Sequence, residues 1–343
     1  SQFQTLITAQ ENRPSVTMYD VRRHQPLYTC SQQEKISVMC HTTGSNSGYV
    51  FGGSENGRVF IWSAFSGQLI KMFDAHLNGV SAMCCLMEGS EFFLITGGRD
   101  TVIHVWNLAS ILDVKLLNQR KMDPIFTFSS HSLSITSLEC TRGSASFPKL
   151  ISTSMDRCAK VWDLMSGTEL CSVVVPCSLL CAVMDPSEHF LYMAGSNGRI
   201  YQVNIYPFVP QFVDDVVMAS SNNNSNNLNQ HYHHMNGDSG PVIDEYTVGR
   251  NVAFVSESSG MIGGARNLTV EHVSLLNSDD NRYNRNYCCV YGGHTNSVTD
   301  LSLSQDGTRM VSASKDGKCL VWDTESKQVL FAFKKHASAT DYS

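Results

Sequence analysis

The chain has 343 residues, 42% of them apolar, which is ample for a large core. Its formal charge of −6 and pI near 6.0, with no run of basic residues, exclude a general attraction for nucleic acid, so little direct nucleic-acid binding is expected. No apolar run reaches membrane-spanning length, so no membrane partner is expected.

Taken in chain order, the first strand-like run is Phe3–Ala9, followed by the turn Ala9-Gln10-Glu11-Asn12 and a repeat end near Tyr19. Gly52-Gly53-Ser54-Glu55-Asn56-Gly57 then leads to Trp62, and Thr96-Gly97-Gly98-Arg99-Asp100 leads to Trp106. Ala109–Pro124 lengthens the loop after the second of these, and its Ile111, Leu112, Val114, Leu116 and Leu117 predict a short helix. Ser152-Thr153-Ser154-Met155-Asp156 leads to Trp162, and Met193–Val203 is a degraded copy without the Trp. Pro207–Asn286 is a long insertion. Its tract Ser221–Asn227 and its cluster His231-Tyr232-His233-His234 are too polar to order themselves, so residues 218–240 are expected to be mobile. The more apolar Val252–Leu276 is expected to dock on the rest. The last copy, Ser312-Ala313-Ser314-Lys315-Asp316 up to Trp322, lies among four predicted strands, Val298–Leu303, Met310–Ala313, Cys319–Trp322 and Val329–Phe333. Gly307 and Gly317 follow turn aspartates, where they supply positive φ at little cost.

In every copy an Asp or Asn stands six residues before the Trp, or before Val203 in the degraded one. The reference positions Tyr19, Trp62, Trp106, Trp162, Val203 and Trp322 are spaced by 43, 44, 56, 41 and 119 residues. That constant interval inside a repeat of ~40–45 residues marks a WD40 β-propeller. The expected fold is therefore all-β, with six recognisable blades. The first blade lacks its opening strand, and a ring must close or leave exposed edges, so a seventh blade is expected in the intact protein. The chain does not start with Met and opens mid-pattern, as an excerpt of a longer protein would. Its domains read as 1–206 for five blades, 207–286 for the insertion, and 287–343 for the last visible blade and the start of the next segment.

Three polar sets recur with the blades: His76, Thr96, Asp100 and Trp106; His131, Ser152, Asp156 and Trp162; His294, Ser312, Asp316 and Trp322. Each predicts a buried chain of hydrogen bonds from indole to hydroxyl to imidazole to carboxylate. A Ser-His-Asp triad uses the same residue types, but a structural device repeats with every blade and an active site does not, and no Gly-x-Ser-x-Gly elbow is present. No catalytic residue, cofactor site or P-loop is read. His231, His233 and His234 lack a further ligand at metal spacing, so no metal site is assigned. The sequons at Asn223 and Asn267 are read as chance. The residue before each turn Asp or Asn points to the rim of one propeller face; Glu55, Arg99, Met155, Ser196 and Lys315 are thus the candidate protein-binding rim. The twelve cysteines include no Cys-x-x-Cys pair, and the doublets Cys84-Cys85 and Cys288-Cys289 suit disulfides poorly, so free thiols in a reducing compartment are expected.

The order of the blades resembles the WD-repeat subunits of the rixosome, a nuclear complex that matures the large ribosomal subunit. The likeness rests on Val50–Gly57 with Ile61-Trp62, Ala75-His76, Gly97–Asp100 with Val105–Leu108, and the long loop after Ile111-Leu112. It continues through His131–Thr136, Ser154–Asp156 with Val161–Asp163, the Trp-less blade Val183–Pro186 with Tyr192–Asn204, and Gly293-His294 with Val321–Asp323. The resemblance implies a non-enzymatic scaffold of the nucleolus and nucleoplasm that joins a helical-repeat scaffold subunit and a bridging subunit. It also implies engagement of pre-60S particles near the second internal transcribed spacer, and association with the spacer-processing endonuclease and kinase and with a dynein-like remodelling ATPase. It further implies a C-terminal helical tail that supports dimerisation, expected to lie outside this chain; the insertion has no counterpart in the resemblance. The alternative is a substrate receptor of a ubiquitin ligase or another protein-interaction adaptor. Such receptors carry Arg three residues after the repeat Trp, where this chain has Phe65, Ala109, Met165 and Glu325.

Overall fold

The computed structural model describes residues 5–9, 15–20, 23–31, 33–42, 48–88, 91–113, 119–141, 148–205, 244–248, 251–257, 266–273 and 288–334. These fall into six sheets, antiparallel apart from one parallel junction described below, as a WD40 propeller requires. The chain divides into two compact units, Ser1–Cys140 with Ser154–Asp156, and Thr141–Thr153 with Arg157–Ser343.

In the first unit, β1 (Thr5–Ala9), β2 (Ser15–Asp20) and β3 (Gln25–Ser31) form a three-stranded sheet. Alternation along β2 buries Val16 and Met18 and half-exposes the residues between them. The second sheet runs β4 (Ile36–His41), β5 (Tyr49–Ser54), β6 (Arg58–Ser63) and β7 (Leu69–Asp74) in order. The third contains β8 (Val80–Glu88), β9 (Glu91–Gly98), β10 (Ile103–Asn107) and β11 (Phe126–Phe128), again in sequential order. Between β10 and β11 lies α1 (Leu108–Ile111), one turn of helix in the long loop. Asn107 caps it, its side-chain oxygen accepting from the Ala109 and Ser110 N–H groups, and Leu108 and Ile111 bury its inner face. The buried Lys71 ammonium donates to the Ile111 carbonyl at 2.9 Å, so a cation meets the negative end of that turn. Desolvation lowers the Lys71 pKa, with Asp113 opposing. Strand β12 (Ile135–Thr141) follows. One apolar cluster of this unit joins Phe51, Ile61, Phe73, Val80, Leu94 and Trp106, with Phe73 edge-on to Trp106 at 5.0 Å.

In the second unit, β13 (Lys149–Ser154), β14 (Cys158–Asp163) and β15 (Thr168–Val174) lie in order. Strands β16 (Leu179–Met184), β17 (Phe190–Gly195) and β18 (Arg199–Asn204) start the next sheet. The insertion then contributes β19 (Asp244–Val248), β20 (Asn251–Glu257) and β21 (Arg266–Val273). Strand β21 pairs in parallel with the edge of β15, Val173 opposite Leu268, and β20 and β19 extend that sheet outward. The apolar half of the insertion is thus attached through backbone pairing along an otherwise open edge. Residues 218–240, expected to be mobile, lie outside the described residues. Strand β22 (Cys288–Gly292) completes the sheet of β16–β18, and β23 (Val298–Leu303), β24 (Arg309–Ser314), β25 (Lys318–Asp323) and β26 (Val329–Lys334) form the last.

The reference position of the repeat has a physical meaning. At four of the six reference positions the antiparallel register slips just before the residue, between Met18 and Tyr19, Ile61 and Trp62, Val161 and Trp162, and Val321 and Trp322. A β-bulge there re-aims the large side chain into the core. Trp62, Trp106, Trp162 and Trp322 are all buried.

Candidate protein-binding rim and its supports

The turn between the second and third strands of each sheet carries the rim residue, and the backbone holds it the same way five times. The Arg99 N–H donates to the Gly79 carbonyl at 2.8 Å, and that of Glu55 to Lys35 at 3.2 Å. Met155 donates to Ser134, Ser196 to Ser178 and Lys315 to Ser297, at 3.1, 2.9 and 3.0 Å. Two of these acceptor residues also reach sideways. The Ser134 hydroxyl donates to the Arg99 carbonyl at 3.4 Å in the first unit, and the Ser297 hydroxyl to the Ser196 carbonyl at 2.8 Å in the second. Adjacent rim positions are therefore coupled through one serine, while all five side chains are exposed.

The polar sets lie beneath these turns. In the third sheet the Trp106 indole donates to Thr96 Oγ1 at 3.0 Å, Thr96 Oγ1 meets His76 Nε2 at 2.8 Å, and His76 Nδ1 meets Asp100 at 3.0 Å. One proton order satisfies all of them: indole N–H to hydroxyl, hydroxyl to Nε2, and Nδ1–H to carboxylate. In the sixth, Trp322 to Ser312, Ser312 to His294 and His294 to Asp316 measure 2.8, 2.7 and 3.1 Å. In the first unit His131 Nδ1 meets Asp156 at 2.9 Å, and in the second Trp162 donates to Ser152 at 2.9 Å. The carboxylates also tie down backbone: Asp100 accepts from Leu77 N–H, Asp156 from Ser132 and Asp316 from Thr295. Burial raises the Asp316 pKa, but the Thr295 N–H, the His294 ring and the Lys318 N–H outweigh it and bring it down to about 2. Asp100 is lowered on balance in the same way. In the third and sixth sheets the indole, hydroxyl, imidazole and carboxylate of the set satisfy one another.

The second and fifth sheets lack the set. In the second, Gly52 occupies the hydroxyl position and Asn56 the carboxylate position. The Trp62 indole N–H is consequently buried with no hydrogen-bond partner among the described residues. A Cβ on Gly52 would lie 2.8 Å from the Trp62 ring, so the missing hydroxyl is the cost of the ring's close approach. In the fifth, Met193 and Val203 replace hydroxyl and indole, and Tyr201 fills the gap with different chemistry. Its hydroxyl accepts from Asn197 at 2.8 Å and lies 3.8 Å from the Cys177 sulfur. Beside it Gln202 bridges two tyrosines, donating to Tyr192 at 3.1 Å and accepting from Tyr291 at 2.9 Å.

Sequence reasoning missed these substitutes, and it missed two apolar neighbours of the rim. Leu77 is 99% exposed and Leu133 51%, in the loops that follow His76 and His131. With Met155 and Arg99 they give the first unit large side chains on its turns. An apolar residue one or two positions after the loop histidine was the available signal. His231, His233 and His234 lie outside the described residues, and among the described residues no group of three metal-ligating side chains comes together. No described helix is long and apolar enough to cross a membrane.

The WD40 profile (WD domain, G-beta repeat) matches residues 67–107, 122–163 and 285–323, so the chain carries WD40 repeats. Over 98% of its length it is 25% identical to WD repeat-containing protein 18 of Danio rerio, and over 95% it is 26% identical to the Homo sapiens protein of that name. It is 24% identical over 98% of its length to the pre-rRNA-processing protein crb3/ipi3 of Schizosaccharomyces pombe. The matched regions are 61%, 59% and 66% of those three proteins, so the chain spans about three-fifths of its relatives.

Proposed function

We propose that this WD40 chain is part of a non-catalytic scaffold in ribosome biogenesis, acting in the nucleolus and nucleoplasm on pre-60S maturation and on pre-rRNA at the second internal transcribed spacer. The observation that carries this reading is the likeness, along nearly the whole chain, to proteins named for pre-rRNA processing. The rim supports a scaffold role: backbone-held turns present Glu55, Arg99, Met155, Ser196 and Lys315 to partners, while the polar sets of the third and sixth sheets are engaged with themselves. The partners proposed are a helical-repeat scaffold subunit and a bridging subunit, with pre-60S particles and a remodelling ATPase engaged through the complex. Homodimerisation through a C-terminal tail outside this chain belongs to the same proposal. With a net charge of −6, contact with RNA runs through those proteins.

Depletion of the full-length protein tests the reading. Precursor RNA that retains the second internal transcribed spacer should accumulate, and the tagged protein should copurify with the helical-repeat subunit and large-subunit precursors. Normal spacer processing after depletion would overturn the assignment. Nanomolar RNA binding by the isolated chain at physiological salt would overturn the indirect contact.

A further inference from the structure

We propose that Cys40 with Cys85, and Cys84 with Cys140, are two oxidisable dithiol sites that close into disulfides between neighbouring strands when the protein meets a hydroperoxide. The Sγ atoms of Cys40 and Cys85 are 3.1 Å apart, and those of Cys84 and Cys140 are 3.3 Å apart. All four cysteines are free and part-buried. The pairing follows from the repeat. Cys40, Cys84 and Cys140 each stand twenty-two residues before the reference Trp, at one position of β4, β8 and β12. Cys85 is the next residue on β8, and successive strand residues face opposite ways. The doublet, a poor disulfide by itself, thus offers one thiol toward β4 and one toward β12. Closing either bridge brings the sulfurs about 1 Å nearer, to the ~2.05 Å of a disulfide.

The step balances with hydrogen peroxide as oxidant. One thiolate attacks a peroxide oxygen, the O–O bond breaks and, with the proton the thiol released, one water leaves. The resulting sulfenic sulfur is attacked by the paired cysteine. The S–S bond forms, the S–O bond breaks, and the departing hydroxide takes the second thiol's proton to become water. Two thiols lose two hydrogens and two electrons, and one peroxide becomes two waters. In the reduced protein the hydrogen bond from the partner thiol and then burial push the Cys40 and Cys84 thiols well up. Cys40 and Cys84 therefore rest protonated and react slowly, and the step proceeds only when an oxidant is supplied.

The whole chain, reduced and then treated with hydrogen peroxide, is alkylated and mapped by mass spectrometry. Two bridges should form, each lowering the mass by two hydrogens, and dithiothreitol should reverse both. Cys84 and Cys85 share a tryptic peptide, so Cys40→Ser and Cys140→Ser assign the bonds. The first should leave that peptide linked only to the one containing Cys140, and the second only to the one containing Cys40. Cys171, buried and pushed up to about 12 by desolvation, should stay alkylatable only after unfolding. Four thiols that remain free while the exposed methionines oxidise would overturn the proposal, as would bonds among other partners or between chains. If a variant fails to fold, the linked peptides of the unmodified chain still decide.

Discussion

The second and third sheets of the first unit have the same strand order and differ in one buried detail. In the third, Trp106 hands its N–H to Thr96, and the chain runs on through His76 to Asp100. In the second, Trp62 is as deeply buried, with Gly52 beneath it and its N–H unanswered among the described residues. Both sheets keep their register, their bulge or turn and their rim residue. Backbone ladders and apolar burial therefore suffice to build a blade, and the polar set is an addition that ties the loop before the first strand to the turn after the second.

The largest test of that difference is removal of the ring. Trp106→Ala should lose about 3–5 kcal/mol as a large-to-small core change, and should exceed Trp62→Ala because it also strands Thr96. Thermal melting that ranks the two the other way would dissolve the contrast. Next comes the hydroxyl alone. Thr96→Val leaves the Trp106 indole and the His76 ring without it, a loss of about 1–3 kcal/mol, while the second sheet already lives without one. A finer cut is Trp→Phe at both sites. Each leaves a similar void, but only Trp106 gives up a hydrogen bond, so denaturant midpoints should separate the pair by about 1 kcal/mol. Acid should discriminate in the same direction. Asp100 and Asp316 have depressed pKa values, so their stabilisation is present above the ordinary carboxylate value near ~3.9 and fades as pH falls, for Asp316 toward about 2. Asn56 cannot titrate, so hydrogen exchange should loosen β24–β25 before β5–β6 between those limits; simultaneous loosening would count against the carboxylates. The smallest effect is expected at the surface: Arg99→Ala should stay within about 0.5 kcal/mol while weakening partner capture.

The sequence made the repeat legible because the Asp-to-Trp interval is local, spanning a single turn and strand. The helix expected within Ala109–Pro124 is one turn, Leu108–Ile111, which holds only Ile111 of the residues that suggested it, while Val114, Leu116 and Leu117 lie outside the described residues. The missing partner of Trp62 could have been read from Gly52, which stands where the three other Trp-bearing copies place Ser or Thr. What stayed hidden joins residues far apart in the chain. Lys149 and Glu188 form a buried ion pair, with Thr141 also donating to that carboxylate, across 39 and 47 positions. Tyr201 substitutes for a Trp–Ser pair with a different side chain at a different position, which no repeat pattern encodes. The parallel pairing of β21 on β15 depends on an open edge and carries no side-chain signature.

The five rim positions are fixed by their own backbone N–H groups, and this separates two jobs that most surface residues share. Folding asks nothing of these side chains, so substitution there leaves the architecture intact. A glutamate, an arginine, a methionine, a serine and a lysine can occupy equivalent points on one frame, like type set in a common tray. Such a surface can be rewritten residue by residue, and new affinities can be tried on this chain without first relearning how to fold.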